Sequence, residues 1–169
     1  MVDHTFHQLT LELDTGTVKI KLRPDLAPNH VQRIGDLANE GYYNGVPFHR
    51  VIPGFMAQGG DGKNFNGTGG SSKPNLKQEF NVQPHVRGVC SMARTNDPNS
   101  ANSQFFICFD DATFLDRDNA DAERKSHHQI LAPMWPSDLT RQGNGAIEML
   151  GREFGEHDAQ TLFVCLKRR

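Results

Sequence analysis

Residues 7–13 alternate: Leu9, Leu11 and Leu13 fall on one face, and Gln8, Thr10 and Glu12 on the other. Val18, Ile20 and Leu22 alternate in the same way with Lys19, Lys21 and Arg23, and Asp14-Thr15-Gly16 supplies turn chemistry between the two runs. A period of two on either side of such a turn predicts a β-hairpin with one buried face. The period then changes. Over 28–40, Val31, Ile34, Leu37 and Ala38 recur at helical spacing, which predicts an amphipathic helix. Pro28 suits its first turn and Gly41 its stop. One helix after a hairpin fits an α+β or β-barrel domain rather than repeated βαβ units.

From 48 to 109 the apolar runs are short, at 48–52, 55–58, 88–93 and 104–109, and connections rich in Gly, Asn, Ser and Pro separate them. The connections at 64–75 and 94–102 are long enough to suggest that they line a site. No internal repeat and no linker divides the chain, so a single domain over 1–169 is expected. Beyond Asp116 the pattern weakens. Residues 118–128 are strongly polar, Asn144 is placed to cap a helix through Ile147, Leu150 and Phe154, and 161–166 has the composition of a last strand.

Composition narrows the class. A chain of 169 residues makes one ordinary domain. With 36% hydrophobic and 22% charged residues it is neither disordered nor membrane-like. A net charge of -2 argues against a dedicated nucleic-acid binder. No run approaches the ~18 apolar residues of a membrane span. The first residues lack the charged and apolar regions of a secretory signal, so a cytoplasmic location is expected. Cys90, Cys108 and Cys165 lie far apart in apolar surroundings, without metal or CxxC spacing, and read as buried free thiols. Ten of the 16 Gly fall between Gly35 and Gly70, which suggests tight turns around an aromatic core rather than a flexible linker.

The chemistry concentrates in 43–60, Tyr-Asn-Gly-Val-Pro-Phe-His-Arg-Val-Ile-Pro-Gly-Phe-Met-Ala-Gln-Gly-Gly. On adjoining strands, alternation would turn Arg50, Phe55 or Met56, and Gln58 toward one surface: apolar, with one cation and one amide. That mixture suits a small hydrophobic ligand attached to peptide groups.

This segment resembles the signature of the cyclophilins, peptidyl-prolyl cis-trans isomerases. The resemblance continues in order through Gly67-Thr68-Gly69-Gly70, Glu79-Phe80, Gly88-Val89-Cys90-Ser91-Met92-Ala93-Arg94, Asn102-Ser103-Gln104-Phe105-Phe106-Ile107-Cys108 and Thr113-Phe114-Leu115-Asp116. It covers roughly residues 7–116, and the short loops resemble the bacterial single-domain forms most. It implies a mostly β fold, an eight-stranded antiparallel β-barrel closed by two helices. It implies isomerisation about X-Pro bonds in folding proteins, with Arg50 as the catalytic residue. Phe55, Met56, Phe106 and Leu115 would form the proline pocket, and Gln58, Ala93 and Gln104 would line the groove that holds the peptide backbone. Arg94 stands where many members have Asn, Phe114 where many eukaryotic members have Trp, and His49 matches a motif histidine whose usual role is structural. The implied partners are proline-containing peptides and unfolded or folding proteins, with a cyclosporin-type inhibitor as a candidate ligand. No cofactor, metal, nucleic acid or membrane is implied, and a monomer is expected. The alternative from another class is a proline-peptide binding module or chaperone with weak or no turnover, and a third is a scaffold using the divergent tail.

After Leu115-Asp116 the chain departs from the family, and Asn119 takes the position of an expected His or Tyr. Three accounts are open for 117–169: a polar insertion with 129–134 replacing the missing strand, a terminus that packs differently, and a frameshift. Paired His127-His128 lacks the companions of a metal site, and Gly67-Thr68-Gly69-Gly70 lacks the Lys and following helix of a phosphate loop. A solvated loop and turn geometry are the simpler readings of the two.

Overall fold

A computed structural model describes residues 6–13, 16–116, 129–133 and 163–166. The described residues are mostly β, with one α-helix. Strands β1 (Gln8–Leu13) and β2 (Gly16–Lys21) pair antiparallel from Gln8↔Lys21 to Leu13↔Gly16. The pairing runs up to Leu13↔Gly16, as expected of a hairpin. The predicted alternation holds in space: Leu9, Leu11, Val18, Ile20 and Leu22 are buried, while Lys19 and Lys21 face out.

Helix α1 runs Pro28–Asn39, with Pro in its first turn. It stops because Gly41 takes φ 73°, a left-handed conformation that glycine adopts without Cβ strain. The N–H groups of Gly41 and Tyr42 then reach back to Ala38 O at 3.0 Å and Leu37 O at 2.9 Å. Val31, Ile34 and Leu37 bury one face of the helix in the main core.

The remaining strands are β3 (Val46–Pro47), β4 (Arg50–Ile52), β5 (Met56–Gly59), β6 (Val89–Met92), β7 (Phe105–Cys108), β8 (Gln129–Pro133) and β9 (Phe163–Leu166). They form a four-stranded sheet ordered β2-β1-β9-β3 and a five-stranded sheet ordered β4-β5-β7-β6-β8. All residues of β6 and β7 are buried, as suits central strands covered on both faces. Their apolar composition hid this from a search for period two. A core of aliphatic side chains with Tyr43, Phe48 and Phe105 lies beneath the hairpin and α1.

The divergent region supplies strands where the sequence placed them: β8 pairs with β6, and β9 lies between β1 and β3. The expected helix through Ile147, Leu150 and Phe154 lies outside the described residues, as do Asn119, His127 and His128. No ladder closes the two sheets into one barrel among the described residues. Among the described residues, no helix is long and apolar enough to cross a membrane.

Candidate active site: an arginine beside an apolar cavity

Strands β4 and β5 bring the two polar groups of the motif together. Arg50 is directly opposite Gln58, and Ile52 opposite Met56. Because side chains alternate along a strand, these four share one face. Val51 and Ala57 point to the other face, where both pack with the main core. The sequence left Phe55 or Met56 open as the apolar partner. Both take part, because Phe55 ends the β4–β5 turn, with its N–H on Ile52 O at 3.0 Å.

Arg50, Phe55, Met56 and Gln58 line a cavity of about 250 Å³ together with Ala93, Arg94, Phe106 and Leu115. Met56, Phe106 and Leu115 belong to a second apolar cluster, apart from the main core, against which Phe55, Ile52 and Ala93 pack. Arg50 is exposed at this cavity and makes no ion pair among the described residues.

Eight of the ten predicted site residues therefore meet at one cavity. The other two lie beside it. Phe114 is 62% exposed and packs on Phe55, with ring centroids 5.4 Å apart. Gln104 lines a second, polar cavity of about 430 Å³, which shares Gln58, Ala93 and Arg94 with the first. Most of the walls of this second cavity come from the two long connections that the sequence marked as site-lining, including Thr68, Asn75, Thr95 and Asn102, and Lys63 adds to them just before the first. No carboxylate lines either cavity among the described residues. The charged side chains that line the two cavities are Lys63, Arg94 and Arg50, all cationic.

Arg94 stands between the two cavities. Its Nη1 donates to Thr95 O at 2.6 Å, and its guanidinium lies 5.8 Å from the centre of the Phe80 ring. Burial lowers its pKa from the ordinary value, against the opposing charge of Asp97.

The polar wall is held by a residue that the sequence reading missed. Asp61 is fully buried and accepts backbone N–H bonds from Lys63, Asn64, Asn66, Gly67 and Gly69, at 2.9–3.3 Å. Burial alone would raise its pKa, but these donors outweigh it and bring the carboxyl to about 2. An Asp opening a Gly-rich polar stretch was the available signal. Gly67, at φ 90°, brings this loop against His49: a Cβ there would fall 2.9 Å from His49 Nε2. His49 thus supports the loop and lines neither cavity. Cys90 and Cys108 are buried free thiols, as expected, and burial raises the pKa of both, Cys108 to about 12. The side chain of Cys165 lies outside the described residues.

The family model described as cyclophilin type peptidyl-prolyl cis-trans isomerase/CLD matches residues 8–127. The chain belongs to this family. It is 58% identical over 115 residues to a probable peptidyl-prolyl cis-trans isomerase of Brucella suis, covering 62% of this chain and 59% of that protein. It thus matches less than two thirds of that relative's length. A peptidyl-prolyl cis-trans isomerase of Synechococcus elongatus is 42% identical over 109 residues, covering 64% of this chain and 73% of that protein. Among solved structures, cyclophilin AquaCyp293 from Hirschia baltica superposes with a TM-score of 0.63 at 29% identity, covering 80% of this chain and 66% of that one. A Cryptosporidium parvum cyclophilin, solved in the presence of the dipeptide Ala-Pro, shares the fold with a TM-score of 0.73 at 22% identity, covering 94% and 95% of the two chains.

Proposed function

We propose that this chain is a peptidyl-prolyl cis-trans isomerase, with Arg50 as its catalytic residue. One observation carries the reading: an exposed guanidinium borders an apolar cavity formed by Phe55, Met56, Phe106 and Leu115, directly opposite the Gln58 amide. Rotation about a peptide bond faces a barrier of ~18–20 kcal/mol, because resonance stiffens the C–N bond. At an X-Pro bond it takes roughly 10–100 s at 25 °C. No covalent bond needs to break. In the twisted state the prolyl nitrogen regains its lone pair and becomes a hydrogen-bond acceptor. Arg50, charged at any working pH, donates to that nitrogen and draws the lone pair out of resonance. The interaction strengthens as the bond twists, so it lowers the barrier rather than merely binding substrate. The apolar cavity holds the proline ring while the acyl side rotates.

Gln58, Ala93, Arg94 and Gln104, along the shared border with the polar cavity, take the flanking peptide backbone, and Phe114 borders the proline pocket over Phe55. The substrates are then proline-containing segments of unfolded or folding proteins. The Ala-Pro dipeptide used with the C. parvum cyclophilin belongs to the same chemistry. A cyclosporin-type inhibitor would compete at the same cleft. We infer a single cytoplasmic domain acting as a monomer. We also infer that its two sheets close into an eight-stranded barrel, with β3 and β4 counting as one strand across Phe48 and His49, and with 147–154 as the second helix. In support, β2 and β8, edge strands of the two sheets, lie alongside each other.

The test is isomerase turnover on an X-Pro peptide. Arg50→Ala should lower kcat/KM by about 100-fold, the size of effect seen when a transition-state donor is removed, and leave the unfolding temperature unchanged. Unchanged turnover would exclude the catalytic role. Peptide binding without turnover in the unaltered protein would point instead to a proline-binding module.

A further inference from the structure

A buried chain of side chains lies directly under the apolar cavity, and the reaction as proposed does not use it. His85 is 2% exposed. Its Nδ1 is 2.8 Å from Asp116 Oδ1, and its backbone N–H donates to the same oxygen at 2.8 Å. Its Nε2 is 3.3 Å from Ser91 Oγ. One tautomer satisfies all three groups: Nδ1–H donates to Asp116 Oδ1, and Nε2 accepts from the Ser91 hydroxyl.

A serine, a histidine and an aspartate in this order have the connectivity of an acyl-transfer triad. Access rules out that chemistry. Ser91 has no exposed surface, and it sits in β6, whose residues are all buried. No substrate carbonyl can reach its hydroxyl. The chain must act, if it acts, through what it holds in place.

Three of its contacts among the described residues lead to a cavity wall. The imidazole is stacked on Phe106, with centroids 6.2 Å apart and planes 8° from parallel. Ser91 is the register partner of Phe106 across β6 and β7. Asp116 directly follows Leu115, and Ala112 N–H donates to His85 O at 2.7 Å, which ties down the 3₁₀ turn Thr113–Leu115. His85 thus joins two cavity-lining residues, Phe106 and Leu115, from different parts of the chain. The other fully buried described histidine offers a contrast. His30 Nδ1 meets Glu79 at 2.6 Å, and its Nε2 has no hydrogen-bond partner among the described residues.

Resting on the reading of this cavity as a proline pocket, we propose that His85 is a positioning residue. Through Asp116, Ser91 and its stack on Phe106, it fixes the Phe106 ring and the Leu115 turn so that a proline ring is held against Arg50. A small displacement of either wall would leave the pocket able to admit proline but not to hold it in register with the guanidinium. The cost then falls on turnover more than on binding.

The experiment compares unaltered protein, His85→Asn and His85→Ala for kcat, KM and unfolding temperature on an Ala-Pro-containing peptide, assayed well below the lowest unfolding temperature. His85→Asn keeps a donor toward Asp116 and loses the ring; His85→Ala loses both. The expected order of kcat is unaltered, then Asn, then Ala, with Ala about tenfold down and KM moving less than about twofold. Folded variants that both keep kcat/KM within about twofold of the unaltered protein would overturn the proposal. A titration of the unaltered protein needs no variant. The imidazole NMR signals of His85 should shift with the peptide and saturate with it; signals that stay fixed at saturating peptide would overturn the proposal even if both variants fail to fold. Absence of turnover in the unaltered protein counts against the isomerase reading alone, and the titration then decides the role of His85.

Discussion

Gln58 Nε2 donates to Gln104 Oε1 at 2.9 Å, and this bond joins the arginine-bearing strand pair to the polar cavity. Gln104 in turn donates from Nε2 to Gly67 O at 2.9 Å and Gly69 O at 2.7 Å. One amide therefore orients the residue opposite Arg50 and holds the loop that shapes the second cavity. Gln104→Ala should lower kcat/KM by about tenfold and stability by only about 1–2 kcal/mol, since the loop carbonyls it frees can turn to water. Peptide turnover beside a denaturant midpoint would show the two effects separately.

Asp61 organises the same loop from inside. Asp61→Asn keeps the shape but leaves one acceptor oxygen for N–H groups that now share two. It should cost about 2–4 kcal/mol, the range for breaking a buried charge-assisted network. In the folded protein the backbone N–H donors bring this carboxyl down to about 2, from an ordinary value of about 3.8. Its contribution is therefore complete above the unfolded value and disappears as pH falls from about 4 toward 2. Acid unfolding curves of the two proteins should converge in that window.

His30 and His85 both have pKa values below the usual 6.5, chiefly because burial disfavours the imidazolium, although Glu79 and Asp116 pull the other way. Below 6.5 the unfolded chain takes up protons that the native protein resists, so stability falls as pH drops. Glu79, whose bonds from His30 and Asn29 overcome its own desolvation and lower its pKa, adds a loss in the same direction at more acidic pH. The unfolding temperature should decrease between pH 7 and pH 5. A flat profile in a thermal scan would show that neither histidine stays neutral in the native state.

Cys90 and Cys108 have pKa values raised by burial, and the thiolate is the reactive form. Both should react with a maleimide on the order of 100-fold more slowly in the native protein than in denaturant. Peptide mapping of the labelled protein would measure each site separately.

The parts of the molecule that depend on neighbours in sequence were legible in it. The β1–β2 alternation, Pro28 and Gly41 at the ends of α1, and the spacing that sets Arg50 against Gln58 are all local patterns. Phe55, Met56, Phe106 and Leu115 look like ordinary core residues by type and were recognisable as cavity lining only through the motif around them. Asp61 was missed because its partners are backbone N–H groups, which leave no side-chain pattern. The His85–Asp116 contact spans 31 residues, and the Tyr43 hydroxyl reaches Ser103 O across 60. Nothing in the spacing of such residues foretells contacts made by the fold as a whole.

The place of β9 between β1 and β3 has a consequence for how the protein is made. The strand nearest the start of the chain and the short one after α1 both wait for residues 163–166. Until those residues leave the ribosome, Leu11 and Glu12 have no partner on that side of β1, and neither do Val46 and Pro47 of β3. Until then the nascent chain carries open sheet edges, with the associated hazard of pairing with other chains. Completion of the first sheet is thus a late, long-range event of the slow kind. A protein proposed to speed the folding of others would complete its own first sheet only after residues 163–166 have been synthesised.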